Sequence, residues 1–285
     1  MPTLDHAALT WVATTCGAHS ATAGERIQSL WSGYGEIRRV RLHGAAATVG
    51  SAVDTVVVKW VRPPAGAAHP RGWGSDRSHQ RKLRSYAVEH RFYEYFAAQT
   101  HAACRVPACL GVAERDHGQA FILEDLDAAG FARRFEDRPR QLAAAVAWLA
   151  HFHATFLGTA PTGLWPEGAY WHLATRPDEL AATSDPRLKH AAAALDARLT
   201  GARFRTLIHG DAKVDNFCFT ADHRAAAVDF QYVGGGCGVK DLAYLLGSAL
   251  TEPELLAQAD GLVDAYFAEL RPALPAAIDA DALEA

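Results

Sequence analysis

In the stretch Leu207-Ile208-His209-Gly210-Asp211-Ala212-Lys213-Val214-Asp215-Asn216, an apolar run ends in His-Gly-Asp, and an asparagine follows five positions after the aspartate. A second acidic residue, Asp229, closes the apolar run Ala225-Ala226-Ala227-Val228 and precedes Phe230-Gln231. This is a residue set suited to phosphoryl transfer. One carboxylate takes the proton of an attacking hydroxyl, while an asparagine and a second carboxylate hold the magnesium that neutralises the phosphates. The spacing assigns the first role to Asp211 and the metal to Asn216 and Asp229. Lys213, two residues beyond Asp211, can reach the transferring phosphate. The plainer alternative is a turn in which Gly210 bends the chain and Asp211 caps a helix. The companions Asn216 and Asp229 weigh against it.

Such chemistry also needs a cation on the nucleotide phosphates. The β-branched run Asp54-Thr55-Val56-Val57-Val58-Lys59-Trp60-Val61 predicts a strand with Lys59 inside it. A charge there requires a partner, unless the strand lies at a sheet edge and Lys59 faces water. The helix expected over 84–96 supplies an acid. Tyr86, Glu89 and Tyr93 fall on one face by their three- and four-residue spacing, beside Phe92 and Phe96. Glu89 is therefore the expected partner of Lys59, with a solvated helix glutamate as the alternative, and Glu94 lies on another face. Gly33, Tyr34 and Gly35 form the expected phosphate-covering loop, because glycines let backbone N–H groups approach phosphate oxygens. Gly-x-Gly also describes any hairpin, and 44–50 reads as a plain one. Phe121-Ile122-Leu123-Glu124-Asp125-Leu126 is an apolar strand running into acids. It is the expected linker whose backbone around Glu124 and Leu126 reads the adenine, although Glu124 and Asp125 could equally cap the next element.

Taken together, these residues resemble the aminoglycoside-phosphotransferase and choline-kinase branch of the protein-kinase-like fold, and within it most the ecdysteroid-kinase-like group. The resemblance runs from about Ser29 to Leu246. It rests on Lys59, on Ser85-Tyr86 with Glu89 and Phe92-Tyr93, on Leu123-Glu124-Asp125-Leu126, on His209-Gly210-Asp211 with Asn216, and on Asp229-Phe230-Gln231. Asp-x-Lys-x-x-Asn is also the spacing of the serine/threonine-kinase catalytic loop, with His-Gly-Asp replacing His-Arg-Asp. The resemblance implies ATP, Mg2+ and a small-molecule hydroxyl acceptor. It makes Asp241, in Lys240-Asp241-Leu242-Ala243, a brace beneath the catalytic loop, and His209 a bracing residue rather than the base. It implies an α+β, bilobal fold: a small β-sheet lobe with a helix over 1–122, a hinge over 123–127, and a larger, mainly helical lobe over 128–285. The phosphate loop has fewer glycines than that of protein kinases. The chain stops at Ala285, short of most relatives, so part of the acceptor wall is expected to be missing or built differently.

The 285 residues suffice for a two-lobed enzyme, and a 49% hydrophobic, 21% charged composition is ordinary for a globular one. A net charge of −4 gives no reason to expect nucleic acid or an anionic membrane as partner. No apolar run reaches transmembrane length, and the N-terminus lacks signal-peptide features. Five scattered cysteines without metal spacing point to reduced thiols in the cytoplasm. His153 reads as a hydrogen-bonded core residue, not a ligand.

Further elements are expected as helices near 8–16 and 23–29, strands near 37–42 and 55–61, and a loop over 69–74 that is an insertion or a flap on the nucleotide. A core helix follows over 142–156, then a hairpin turning at Thr220-Ala221-Asp222-His223, and helices over 241–250 and 252–270. The glycines of 234–238 suit a loop lying near the acceptor or phosphates, or a flexible connector, and the segment is too short for a protein-kinase activation loop. Trp165, Tyr170, Trp171 and His172 line an acceptor pocket or anchor their loop to the core. Steroid-like or other apolar alcohols are the acceptors the nearest group suggests. Choline would use the aromatic residues as a cage, and aminoglycosides would want more clustered acids than the chain displays. The reading from another class is a nucleotide-binding pseudokinase that regulates a partner.

Overall fold

A computed structural model describes residues 4–30, 33–44, 54–63, 76–115, 118–168 and 170–284. The expected hairpin over 44–50 and the loop over 69–74 fall largely or wholly outside them. The chain divides into two compact units, Met1–Ala98 with Pro107–Ala132, and Gln99–Val106 with Arg133–Ala285.

In the first unit, α1 (His6–Thr15) is capped by the Asp5 carboxylate, which accepts from Ala8 N at 2.8 Å. Five antiparallel strands follow: β1 (Ser20–Ser29), β2 (Gly35–His43), β3 (Thr55–Val61), β4 (Cys109–Arg115) and β5 (Gly118–Glu124). Their spatial order is β1-β2-β3-β5-β4. The helix α2 (Asp76–Tyr95) lies between β3 and β4 in sequence. Strand alternation sorts β3 cleanly. Val56, Val58 and Trp60 join Val40, Leu42 and Ile122 in a core closed by Leu4, Ala8 and Val12. The intervening residues, Lys59 among them, face the side where Phe121 meets Tyr93 of α2 at 6.1 Å between rings.

One expected helix is not there. Residues 23–29 form the second half of β1. Ala-Gly-Glu-Arg-Ile-Gln favours helix locally, but antiparallel pairing with β2, from Ser20 opposite His43 to Ser29 opposite Glu36, overrides it. Register shifts on either side of Arg26 bend the strand and blur its alternation.

The second unit is mainly helical: α3 (Arg138–Thr155), α4 (Pro177–Ala182), α5 (Pro186–Thr200), α6 (Val239–Ala249), α7 (Glu252–Ala273) and α8 (Ala280–Glu284). Two short antiparallel pairs are set among them, β6 (Thr206–Ile208) with β9 (Gly234–Gly236), and β7 (Phe217–Phe219) with β8 (Ala225–Ala227). The core is aromatic. Trp148 and Phe152 of α3 stack at 4.8 Å, and Trp148 meets Phe217 edge-on at 5.5 Å. With its antiparallel sheet and separate helical unit, the fold is α+β.

The glycines of 234–236 correct a second expectation. They are a buried strand, neither a loop over a ligand nor a free connector. A Cβ on Gly234 would lie 2.2 Å from the Trp165 carbonyl oxygen, and one on Gly236 would lie 2.7 Å from Ile208. Close backbone approach, not flexibility, demands glycine here.

Candidate active site

In the first unit, Lys59 sits on the middle strand of the sheet, opposite Ile37 of β2 and Phe121 of β5. The water-facing edge alternative is thereby excluded: Lys59 is 4% exposed. Its ammonium Nζ lies 2.6 Å from Glu89 Oε2 and 2.9 Å from Oε1. Three- and four-residue spacing brings Glu89 to Lys59: Tyr86, Glu89 and Tyr93 are all buried on one face of α2 while Glu94 is exposed. The Lys59 ammonium also stands 5.8 Å from the Tyr86 ring centre.

The turn joining β1 and β2 carries Gly33, Tyr34 and Gly35. Gly33 has φ 76° and Gly35 φ 136°, conformations that favour glycine. A Cβ on Gly35 would lie 1.9 Å from the Trp60 carbonyl oxygen. The Gly33 N–H donates to Leu30 O within the turn, and Leu30 N–H donates to Gly35 O. Tyr34 is turned inward, with its hydroxyl on His79 Nδ1 and its ring 6.3 Å from Tyr86. Gly35 and Tyr34 thus have packing roles of their own, while Gly33 supplies the left-handed turn.

At the end of β5, Glu124 is tied to the preceding segment: its Oε2 accepts from Ala108 N, and its N–H donates to Ala108 O, both at 2.9 Å. Asp125 is buried and gripped by Arg39, whose Nε donates to Oδ2 at 2.6 Å, and by the Thr55 hydroxyl at 2.8 Å. Arg39 also reaches Asp127 at 2.6 Å. Burial pushes the Asp125 carboxyl up, and the Arg39 and Thr55 bonds overcome it, holding the group below its usual range. Leu126 is buried, and its carbonyl accepts from Phe131 N at 2.8 Å. Sequence reasoning missed Arg39. Its signal was a strand alternation that places Arg39 with Ile37, the residue opposite Lys59.

In the second unit, β6 delivers His209-Gly210-Asp211. Gly210 takes φ 81°, which favours glycine. The His209 ring is fully buried: Nδ1 accepts from Asp211 N at 3.2 Å and Nε2 meets Val228 O at 3.0 Å. With both nitrogens engaged on backbone, His209 braces the loop. Asp211 lies beside Asn216, whose Nδ2 donates to Asp211 O at 2.7 Å and to Oδ2 at 3.1 Å. Those two bonds use both N–H groups of the amide, so the atom Asn216 can offer a cation is Oδ1. Its carbonyl accepts from Val228 N at 2.9 Å, tying it to the strand that leads into Asp229. Asp229 holds φ 68°, a left-handed conformation rare for non-glycine residues and common at functional sites. Gln231 Nε2 orients its carboxylate from 2.7 Å. Burial, and after it the Asp229 charge, raises the Asp211 carboxyl above its usual range against the opposing pull of His209, Lys213 and Asn216. Lys213 is half-buried, its N–H donating to Asp211 O at 2.8 Å.

Helix α6 supports this loop with a polar stripe. Asp241 accepts from His209 N at 2.5 Å and Gly210 N at 2.9 Å, and also bonds His153 at 3.2 Å. His153 thus belongs to a buried network with Asp241 and Tyr266. One turn on, Tyr244 meets Asp211. Burial first, and then the charge of Asp211 and a hydrogen bond to it, push the Tyr244 phenol up to about 12. A further turn on, the Ser248 hydroxyl accepts from Val214 N at 3.1 Å. Tyr244 was not legible as a site residue, although polar groups at i, i+3 and i+7 of an apolar helix were a usable signal.

The aromatic segment divides in two. Trp165 is a core anchor, stacked on Tyr232 at 6.2 Å and donating Nε1–H to Gln231 O at 2.8 Å. It therefore cannot serve in a choline cage. Tyr170 is pinned to the catalytic loop, its N–H on Gly210 O at 2.6 Å, and Trp171 is 54% exposed.

Residues 74–277 match the phosphotransferase enzyme family, and the chain belongs to it. It is thereby an enzyme of the small-molecule kinase class whose motifs it carries. Among solved structures, it is similar to the aminoglycoside phosphotransferase APH(3'')-Id from Streptomyces rimosus, at 16% identity over 98% of this chain and 96% of that one, with a TM-score of 0.54. It is also similar to the amicoumacin kinase hAmiN in complex with AMP-PNP, Ca2+ and Ami, at 12% identity over 98% and 82%, with a TM-score of 0.58. A type VIII aminoglycoside-3'-phosphotransferase aligns at 18% identity over 92% and 90%, with a TM-score of 0.52. These likenesses establish the protein-kinase-like fold. No curated protein matches the chain. Among the described residues, no helix is long and apolar enough to cross a membrane.

Proposed function

We propose that this phosphotransferase moves the γ-phosphate of ATP, with Mg2+, to a hydroxyl of a small molecule. The observation that carries the reading is the joined geometry of Asp211 and Asn216, hydrogen-bonded on one loop, with Asp229, left-handed at the end of the strand that Val228 ties back to Asn216. Among the described residues, no group of three or more His, Cys, Asp or Glu is arranged to hold a metal. Magnesium is commonly held by one or two side chains together with phosphate oxygens. The donors offered, Asn216 Oδ1 and the Asp229 carboxylate, are hard oxygens of the right kind. Bound there, the ion would neutralise charge on the phosphates.

The chain's own residues do the rest. Asp211 orients the acceptor hydroxyl and takes its proton as the bond to phosphorus forms. Lys213 balances charge on the moving phosphoryl group. Lys59, held by Glu89, grips the nucleotide phosphates under the turn of Gly33, Tyr34 and Gly35. The backbone near Glu124 and Leu126, fixed by the Arg39–Asp125 clamp, reads the adenine. An apolar or steroid-like alcohol is the acceptor the motif resemblance favours over choline or an aminoglycoside. None of the five cysteines is in a disulfide, which fits a reducing cytoplasm.

The test is calorimetric titration of Mg·ATP into the parent and Asp229→Ala, paired with a labelled-ATP turnover screen over small alcohols. Asp229→Ala should abolish transfer and weaken magnesium-dependent binding by about tenfold or more. Undiminished affinity would remove Asp229 from the metal.

A further inference from the structure

The face beside Asp211 carries a charge arrangement that bears on what the acceptor is. Tyr170 and Trp171 meet at right angles, 88° between ring planes with centroids 5.4 Å apart. The Arg176 guanidinium fills the corner between them, 4.2 Å from the Tyr170 ring centre and 4.6 Å from that of Trp171. Arg176 is 7% exposed. Its Nε donates to Tyr170 O at 3.1 Å and its Nη1 to Glu179 at 2.7 Å, while Nη2 has no hydrogen-bond partner among the described residues. The corner abuts the catalytic loop at Tyr170, whose N–H donates to Gly210 O at 2.6 Å, and Trp171 lies beside Tyr244, which in turn neighbours Asp211.

A cage for an ammonium group needs aromatic faces open to a cation. Here an internal cation already occupies both. Three carboxylates around the segment are engaged as well, Glu179 by Arg176, Glu167 by Arg205, and Asp196 by His172 at 3.6 Å, while Asp178 of α4 is exposed. What remains open is the exposed part of Trp171, an indole made electron-poor by the guanidinium against it, beside the Tyr244 hydroxyl.

We propose that the acceptor seats on Trp171 and Tyr244 and is an uncharged or anionic alcohol, not a cationic one. The inference rests on the phosphotransferase reading and narrows its acceptor class. The tyrosine hydroxyl contacts the acceptor oxygen that Asp211 deprotonates, and the indole covers the acceptor's flat or apolar body.

The experiment compares kcat/KM of the parent for matched hydroxyl compounds: neutral alcohols, hydroxy acids, choline and an aminoglycoside, following ADP release and confirming the phosphoester by phosphorus NMR. Neutral or anionic acceptors should be preferred by about tenfold or more, the scale of one displaced cation–π contact. Trp171→Ala, a surface change, should raise KM for the preferred acceptor with little change in kcat. Arg176→Gln, which keeps a planar amide and removes the charge, should narrow the gap between neutral and cationic acceptors. Should that variant misfold, Trp171→Ala decides. Choline or the aminoglycoside as best acceptor, or an acceptor KM indifferent to Trp171→Ala, overturns the inference while leaving phosphotransfer intact. No transfer to any class, with no Mg·ATP binding, overturns the phosphotransferase reading and this inference with it.

Discussion

The Lys59–Glu89 pair separates stability from catalysis. The two side chains are 5% and 1% exposed, and Nζ stands 2.6 Å from Oε2. Removing one partner leaves a charge in the middle of the sheet, a loss of about 3–5 kcal/mol in comparable buried pairs. Replacing both with apolar groups of similar volume is commonly neutral, because the desolvation cost of the pair vanishes along with its attraction. Lys59→Met and Glu89→Leu should therefore each lower stability by about 3 kcal/mol, while the double variant returns to within about 1 kcal/mol of the parent. With roughly 2–4 °C lost per kcal/mol for a chain of this size, the singles should melt roughly 6–12 °C lower. Turnover should be lost in all three, since even a stable double variant has no cation for the phosphates. Thermal unfolding by circular dichroism, read beside kcat/KM, checks both halves. A double variant whose stability loss equals the sum of the singles would refute the coupling. One that retains turnover would refute the role of Lys59.

Asp211→Asn should fold normally and bind Mg·ATP within a few-fold of the parent, with turnover lower by about a hundredfold or more. In the parent, activity requires the ionised carboxylate, so it should fall as pH drops through a pKa lying above the usual carboxylate value. The variant should lack that acidic limb in its pH–rate profile, and near-parent turnover would sink the assignment. Asp241→Asn should lower stability by about 1.5–3 kcal/mol through its charge-assisted bonds to His209 and Gly210. The folded-state pKa of Asp241 is depressed, because the bonds from His153 and the loop overcome burial. Its contribution is therefore complete above the unfolded value near 4 and is lost as pH falls below it. Urea titrations should show parent and variant converging in acid, and a constant difference down to pH 3 would contradict the linkage.

Local spacing was the readable part of this protein. His209, Asp211 and Asn216 lie within one loop, and Lys59 and Glu89 each declared themselves by a charge on an apolar face. What depended on distant segments was hidden. The strand at 23–29 is made by its pairing with β2, not by its own residues. β4 was missed because Cys109-Leu110-Gly111-Val112 is short and diluted by glycine, and its partner β5 defines it. Alternation along β2 placed Arg39 on the Lys59 side of the sheet, but its partner Asp125 lies 86 positions away, and that pairing is set by the fold, not by local spacing. The glycines of β9 looked like freedom, when the Trp165 carbonyl packed against them makes them a constraint.

The stripe on α6 has a bearing on how this sequence can vary. Asp241, Tyr244 and Ser248 each touch a different point of the loop from His209 to Val214. Their order in space is kept by helical phase alone. One residue inserted or deleted between 241 and 248 would turn the remainder of the helix by about 100°, carrying Ser248, and Tyr244 with it when the change falls ahead of that residue, away from the loop while Asp241 stayed. Insertions are absorbed where a connector can swell, and this segment has no such slack. Variation in length should therefore fall outside 241–248, and variation within it should be by substitution.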